Sequence, residues 1–480
     1  LRRASIGLVA VVLVASVVVA CNFHVAGIQI PLSTDLGNED LREVEAGPPD
    51  LSQCTTNGAG VGCDGQVLLV CMNGKATPGP SCTDGCSTKG GAHCASLDPG
   101  GAAQPSDYLV SGLEPVSLSS TVVFNTDTGA ITASPAGRGA GMGVDGATGI
   151  YYRLATQSDG STIGIFSFQS FTLAVNAELQ VVGNSPLVIL ASGDIDIEGG
   201  IDVSGTCMPG TTVAGGGLGG AAGMPGANPG KGTMGGGGAG GSPVGGFGGG
   251  GGGGYGDVGG AGGPSSVAAT SGGAAGKLFG DLTAVDFILS GGGGGGGGGG
   301  LVVGTSSVGG SGGGAIQIAS NGMITLGAGA LLNAGGCHGS GGTAAGGGGG
   351  GAGGTILIEG RTITLDKDTV LAANGGGGGG GDGSDGNDGM ADDKKPNGGS
   401  SSGSGSNGGN GAAKNTTGGS DVNESGGDIY GGGGGGSVGR IALKTKLGTV
   451  AGNNATFSPQ VGAASPGSVS PSTEGTANFE

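Results

Sequence analysis

Residues 166–203 read FSFQSFTLAVNAELQVVGNSPLVILASGDIDIEGGIDV, and the apolar positions of the first half return at a fixed spacing in the second. Phe166, Phe168, Leu173, Val175, Leu179 and Val181 are each followed 22 residues later, by Val188, Leu190, Ile195, Ile197, Ile201 and Val203. Each set is three apolar-x-apolar doublets, the period-two signature of short strands with alternate side chains turned inward. Three strands in a repeat of this length make one coil of a parallel β-helix. Further doublets occur at Ile316/Ile318, Ile324/Leu326 and Leu332/Ala334, at Ile356/Ile358, Ile363/Leu365 and Leu371/Ala373, and at Ile441/Leu443. A single coil cannot bury its inward face alone, so the coils must stack. The expectation is an all-β chain with a right-handed parallel β-helix (solenoid) over residues 117–460. Thr121 to Thr132 and the residues beyond Leu443 are its candidate caps, and 461–480 a C-terminal tail.

Working outward, the stretches between coils are unequal, and each follows a third strand. They are expected to leave from one corner and gather on one side. These insertions, 208–314, 338–353 and 375–439, hold the runs Gly248–Gly254, Gly291–Gly300, Gly346–Gly351, Gly375–Gly381 and Gly431–Gly436 in a chain with 130 Gly among 480 residues. Such runs are either disordered or packed as polyglycine-II strands, which can approach closely for want of side chains. Both states stay open beside the coils, and disorder is expected for Asp382 to Asn423. If the first insertion holds no coil, Cys207 and Cys337, each just past a third strand, sit on adjacent coils at a spacing suited to a disulfide. That pairing is predicted. Leu278-Phe279 with Val285 to Leu289 is the one stretch able to form an intervening coil.

Composition narrows the function classes. A formal charge of −18 with 11% charged residues excludes a basic surface for nucleic acid. At the N-terminus, Arg2 and Arg3 precede an apolar stretch from Ile6 to Ala20 that ends Val18-Val19-Ala20-Cys21, so 1–20 reads as a signal peptide. This end resembles the lipobox of bacterial lipoproteins. The resemblance implies that Cys21 carries the lipid and anchors the chain to a membrane, with 21–53 as tether. Eight cysteines remain, an even number in an exported chain. Cys54, Cys63, Cys71, Cys82, Cys86 and Cys94 lie in a stretch poor in apolar residues, which predicts a disulfide-stapled module over 54–96 with fifteen possible pairings. The spacing lacks a C-x2-C pair and His93 is the sole imidazole nearby, so zinc is not expected there. Residues 97–116, which include Asp98-Pro99-Gly100-Gly101, read as a linker.

Phe124 to Thr132, Gly149-Ile150-Tyr151-Tyr152, Leu187 to Gly205 and the glycine run into Gly314-Ala315-Ile316-Gln317-Ile318-Ala319, together with the Cys-rich segment, resemble glycine-rich exported lipoproteins of Gram-negative soil bacteria. The resemblance implies a pectate-lyase-like β-helix at the outer membrane or cell surface and carries no established activity.

Asp194, Asp196 and Glu198 alternate with inward Ile195 and Ile197 and are expected to face solvent, with Asp202 one strand on. Such a cluster suits Ca²⁺ and an acidic polysaccharide, but the equivalent positions Thr172, Ala174, Asn176 and Thr325 supply no cation for a lyase. A solvated acidic face is therefore expected, and Arg361, Asp366 and Lys367 read as surface charges. Gly380-Gly381-Asp382-Gly383-Ser384-Asp385 fits half of a calcium nonapeptide, once, with Asn387 at its apolar position. His338 reads as a loop residue. No catalytic residue, metal site or cofactor is assigned. The expected role is a lipid-anchored structural or adhesive surface protein that meets matrix polysaccharide or neighbouring cells. The alternative is a carbohydrate-active enzyme, a polysaccharide lyase or glycosidase, on the same scaffold.

Overall fold

The structure is a computed structural model describing residues 54–89, 91–132, 137–208, 210–228, 246–267, 270–283, 286–300, 307–422, 428–452, 454–463 and 470–480. The signal peptide, Cys21 and the whole of the tether lie outside the described residues. The body Ser52–Glu480 is all-β, and its one helix among the described residues is the four-residue Pro105–Tyr108.

Three parallel ladders carry the core. The first runs Thr162–Phe168, Leu187–Ala191, Ala315–Leu326, Thr355–Leu365, Arg440–Thr445, Ser472–Thr476. The second runs Pro115–Leu118, Ser170–Leu173, Ile195–Ile197 and then the far halves of Ala315–Leu326 and Thr355–Leu365. The third runs Val122–Asn125, Glu178–Val182, Gly200–Asp202, Leu331–Asn333, Val370–Ala372, Thr456–Ser458. Like side chains stack along each ladder, Ile189 on Ile318 on Ile358 on Leu443 in the first and Leu179 on Ile201 on Leu332 on Leu371 in the third. All of them meet in one apolar core. The first insertion adds no strand to the ladders among the described residues, so Leu187–Ala191 pairs directly with Ala315–Leu326.

The register differs from the 22-residue repeat in two ladders of three. Leu179 does pair with Ile201, but Phe166 pairs with Ile189 and Phe168 with Ala191, not with Val188 and Leu190. All five residues of Leu187–Ala191 are buried, so its sequence does not reveal which face meets which core, and a one-residue slip exchanges them. In the second ladder Phe171 and Leu173 pair with Ile195 and Ile197. Val175 is 57% exposed, in a tight turn closed by Ala177 N–H to Ala174 O with Asn176 at φ 62°. Asn tolerates this left-handed backbone better than most residues.

Val188, Leu190, Leu357 and Ala442 form a second core on the other face of the first ladder, with Leu97, Tyr108, Phe287 and Leu289. The 97–116 stretch is thus a cover rather than a free linker. Buried Glu359 pins it, accepting from Gly100 N–H at 3.1 Å and from Gln317 Nε2 at 2.7 Å and pairing with Lys444 at 3.4 Å. Asp107 holds Arg153 through Oδ2 and Nη2 at 2.7 Å.

Antiparallel pairing covers the starting edges of the first and third ladders, the latter through Ile131–Thr132 against Val122–Asn125. Tyr151–Thr156 pairs against Thr162–Phe168. Buried Arg138 donates beside it to the carbonyls of Gly129, Gly139, Gly141, Gly143 and Ile150. At the other terminus Asn478–Phe479 pairs with Leu97–Asp98.

The Cys-rich segment forms a three-stranded antiparallel sheet, Gly60–Asp64, Val67–Met72, Lys75–Ser81, stapled by Cys54–Cys71, Cys63–Cys86 and Cys82–Cys94. It rests on the ladders through Asp84, which receives Arg361 Nε and Lys446 Nζ, each at 3.0 Å. Arg361 is therefore a docking residue rather than a loose surface charge.

Candidate functional site

Polyglycine-II backbone has three residues per turn and no internal hydrogen bonds, so every N–H and C=O points outward and must find a neighbouring chain. The insertions meet this demand together. Gly346, Gly349 and Ala352 donate to Gly299, Gly296 and Gly293; Gly347 and Gly350 to Gly431 and Gly434; Gly348 and Gly351 to Ser340 and Cys337. The carbonyls of the same tract accept from Gly250 and Gly253, from Gly310 and Gly313, and from Gly376 and Gly379. One tract is thus surrounded by six others, and each neighbour is met at every third residue.

The packing explains the composition. A Cβ built at Gly252, Gly349 or Gly433 lies well inside 3.0 Å of a neighbour's carbonyl oxygen, a separation that real Cβ atoms do not reach. Residues 382–422, where disorder was expected, belong to the same array: Gly381 donates to Ser406, Gly408 to Gly399 and Gly411 to Pro396. The expectation failed because a glycine tract orders when neighbouring tracts accept its backbone bonds, and single-tract composition does not show those neighbours.

The array has an inner and an outer end. At the inner end Gly314 donates to Val203, Gly354 to Ala334 and Gly439 to Ala373, so each insertion leaves a third-ladder strand and re-enters the first ladder beside it. Tyr255 braces this end, its hydroxyl 3.1 Å from Ser290 O and Arg440 5.6 Å from its ring. At the outer end the turns of all three insertions are tied to one another. Gly223 donates to Gly298, Gly298 to Ser307, Gly346 to Gly299, Asp382 to Ala345, Ser402 to Asp382, Ile429 to Ser404 and Ser266 to Asp428, all between 2.7 and 3.0 Å. The rings of Phe247 and Tyr430 meet edge-on here, with centroids 4.8 Å apart. Met224, Val267, Thr343, Ser402 and Ser404 are exposed on this face. No residue type marks these turns in the sequence; hydrogen bonding between insertions brings them together.

The acidic strand faces outward as expected, with Asp194 and Glu198 exposed and Asp196 and Asp202 half-buried, and two of its carboxylates also hold neighbouring groups. Asp194 Oδ1 accepts from Met323 N–H at 2.8 Å, and Asp202 Oδ1 from Ser204 N–H at 2.9 Å and Asn333 Nδ2 at 3.2 Å. Asp196 lies in an outward row with Thr172, Thr325 and Thr364. Burial, then Glu198 and Asp366 nearby, raise its carboxyl above the usual range. The half-nonapeptide acids are tethers as well: Asp382 Oδ1 accepts from Ala344 N–H at 2.8 Å and Asp385 Oδ1 from Gly341 N–H at 2.7 Å.

Cys207 and Cys337 are disulfide-bonded with Cα atoms 5.4 Å apart. His338 and Asp388 lie against this bond, Nδ1 to Oδ1 at 2.6 Å. The hydrogen bond to Asp388 raises the imidazole above its ordinary value against the effect of burial. Burial pushes the Asp388 carboxyl up, but bonds from the His338 ring and N–H outweigh it and hold the carboxyl low.

Comparison with protein-family models, curated proteins and solved structures finds no match.

Proposed function

We propose that this chain is an exported, lipid-anchored surface protein of adhesive or structural role, whose contact surface is the outer end of the glycine array. The observation that carries this reading is the convergence of turns from all three insertions on one hydrogen-bonded end face. Binding groups on a rigid support lose little freedom when a partner docks. The array supplies that support without a side-chain core. Exposed hydroxyls beside the Phe247–Tyr430 ring pair favour polysaccharide as the partner class. The lipobox-like end at Val18 to Cys21 supports anchoring at the outer membrane or cell surface, and the three ladders support a parallel β-helix, with right-handed coiling as its expected sense.

The test uses the whole chain expressed in a Gram-negative host. Cys21→Ser is expected to move the protein from the membrane to the soluble fraction. Binding to pectin, alginate and extracted bacterial matrix is expected for the wild type, to fall at least tenfold in Thr343→Arg and Ser402→Arg, and to persist in Asp194→Ala. Release of new sugar ends that is lost in Asp196→Ala would replace the adhesive reading with the enzymatic one.

A further inference from the structure

Cys207 stands just before the first insertion, Cys337 and His338 at the start of the second, and Asp388 inside the third. One ligand atom from each of the four lies within 4.8 Å of the others, the one such group among the described residues. Asp388 Oδ1 is 2.6 Å from His338 Nδ1 and 3.0 Å from Cys207 Sγ, and His338 Nδ1 is 3.5 Å from Cys207 Sγ and 3.9 Å from Cys337 Sγ. Ligand atoms around a tetrahedral zinc ion, with metal–sulfur bonds near 2.3 Å and metal–nitrogen or metal–oxygen bonds near 2.0 Å, stand about 3.2 to 3.8 Å apart. The sulfur-to-nitrogen separations are already close to this spacing. The two covalently joined sulfurs are too near each other, and Asp388 Oδ1 must draw back from His338 Nδ1 and Cys207 Sγ, at 2.6 and 3.0 Å, to make room for the ion.

A carboxylate oxygen against a bonded sulfur gains nothing, because neither atom carries a hydrogen to share. The same oxygen beside a thiolate gains from a cation placed between them. Ligation through Nδ1 requires the proton that Nδ1 shares with Asp388 Oδ1 to leave it, and the Nε2 edge that can carry a proton instead faces Asp385 Oδ2 at 3.9 Å. A carboxylate behind the imidazole is the usual outer partner of a metal-bound histidine.

We propose that the reduced Cys207–Cys337 pair, with His338 and Asp388, is a four-coordinate site for a zinc-class divalent cation. A dithiol reductant gives two electrons and two protons to the disulfide, leaves as its own cyclic disulfide, and yields two thiols. The cation then displaces both thiol protons to solvent, the proton between His338 Nδ1 and Asp388 Oδ1 passes to Nε2 or, where Nε2 already carries one, to solvent, and the ion binds Cys207 Sγ, Cys337 Sγ, His338 Nδ1 and Asp388 Oδ1. Two sulfurs, one imidazole and one carboxylate suit Zn²⁺ over hard, oxygen-seeking ions. The disulfide joins two insertions; the metal joins all three, because Asp388 becomes a ligand. The array is thus cross-linked in either redox state.

Co²⁺ serves as the spectroscopic probe on the full chain, reduced with dithiothreitol and freed of it under inert gas. The reduced protein is expected to take up Co²⁺ with thiolate charge-transfer absorption and bands of tetrahedral intensity, and the oxidised protein to show neither. The six cysteines of the N-terminal module are reduced too and Cys21 is a seventh, so the Cys207→Ser/Cys337→Ser variant measures their background, and the tetrahedral signal is expected to be lost in it. His338→Ala and Asp388→Ala, which keep the disulfide during folding, are expected to weaken Co²⁺ binding roughly tenfold or more. An unchanged signal in the double serine variant, or wild-type affinity in both alanine variants, overturns the site. Should the double variant fail to fold, the two alanine variants decide it alone.

Discussion

The N–H of Gly349 donates to the carbonyl of Gly296 at 2.8 Å, although 52 residues separate the two, and both lie in tracts without side chains. A Cβ on Gly349 would strike the carbonyl of Gly251 on a third tract. Gly349→Ala must push backbone apart in a lattice with six neighbours, and its expected cost is about 3 kcal/mol, the upper part of the overpacking range. Gly139→Ala, where a Cβ meets open space, is expected to be near neutral. Thermal unfolding of the two variants checks the contrast.

The register makes Val175 and Ile197 unlike, although the 22-residue repeat aligns them. Ile197 is fully buried and Val175 is 57% exposed. Ile197→Ser is expected to cost roughly 3 kcal/mol, from lost apolar burial and a hydroxyl without solvent, and Val175→Ser within about 0.5 kcal/mol of zero. Equal losses in denaturant unfolding would restore the repeat-based register.

Asp84 is the acceptor through which the Cys-rich sheet meets two cations. Its side chain is 4% exposed, while Arg361 and Lys446 are 35% and 31% exposed. Asp84→Asn is expected to cost on the order of 2 kcal/mol, less than a fully buried pair because water reaches both cations. Limited proteolysis should then release the module earlier than in wild type.

Asp196 offers a test by pH. Its carboxyl is raised above 3.8, so the charged form is less favourable folded than unfolded. The resulting penalty is full above the folded value and absent below 3.8. Asp196→Asn is therefore expected to raise the melting temperature at pH 7, with the gain shrinking to nothing as the pH falls below 3.8. A constant difference between the two melting curves across that range would contradict the assignment.

Tyr108 and Tyr152 are both pushed up to about 12, in each case by burial first. Phenolate absorption is expected to show these two hydroxyls still protonated at pH 11, with stability lost as the pH climbs from 10 through that value and the unfolded chain ionises first.

Much of the strand inventory was legible because period-two alternation survives wherever one face meets a core and the other does not. Ile324/Leu326, Leu332 and Leu371 were readable on that ground, as was the third ladder's 22-residue spacing. Val188 and Leu190 were misassigned because their strand is buried on both faces and alternation carries no information there. Asp388 and the outer turns were invisible because their partners lie on other insertions.

The sequence by itself determined that the chain is built from short repeated strands, that an even set of cysteines favours disulfides, and that glycine fills the connections. These follow from local chemistry: side-chain period, thiol count and the absence of Cβ atoms. Tertiary structure alone decided the register, the cover over the first ladder, and the ordering of the glycine tracts into one array. A polyglycine-II strand offers its neighbours nothing but outward N–H and C=O groups, so whether it is ordered depends on chains far along the sequence that come to lie beside it.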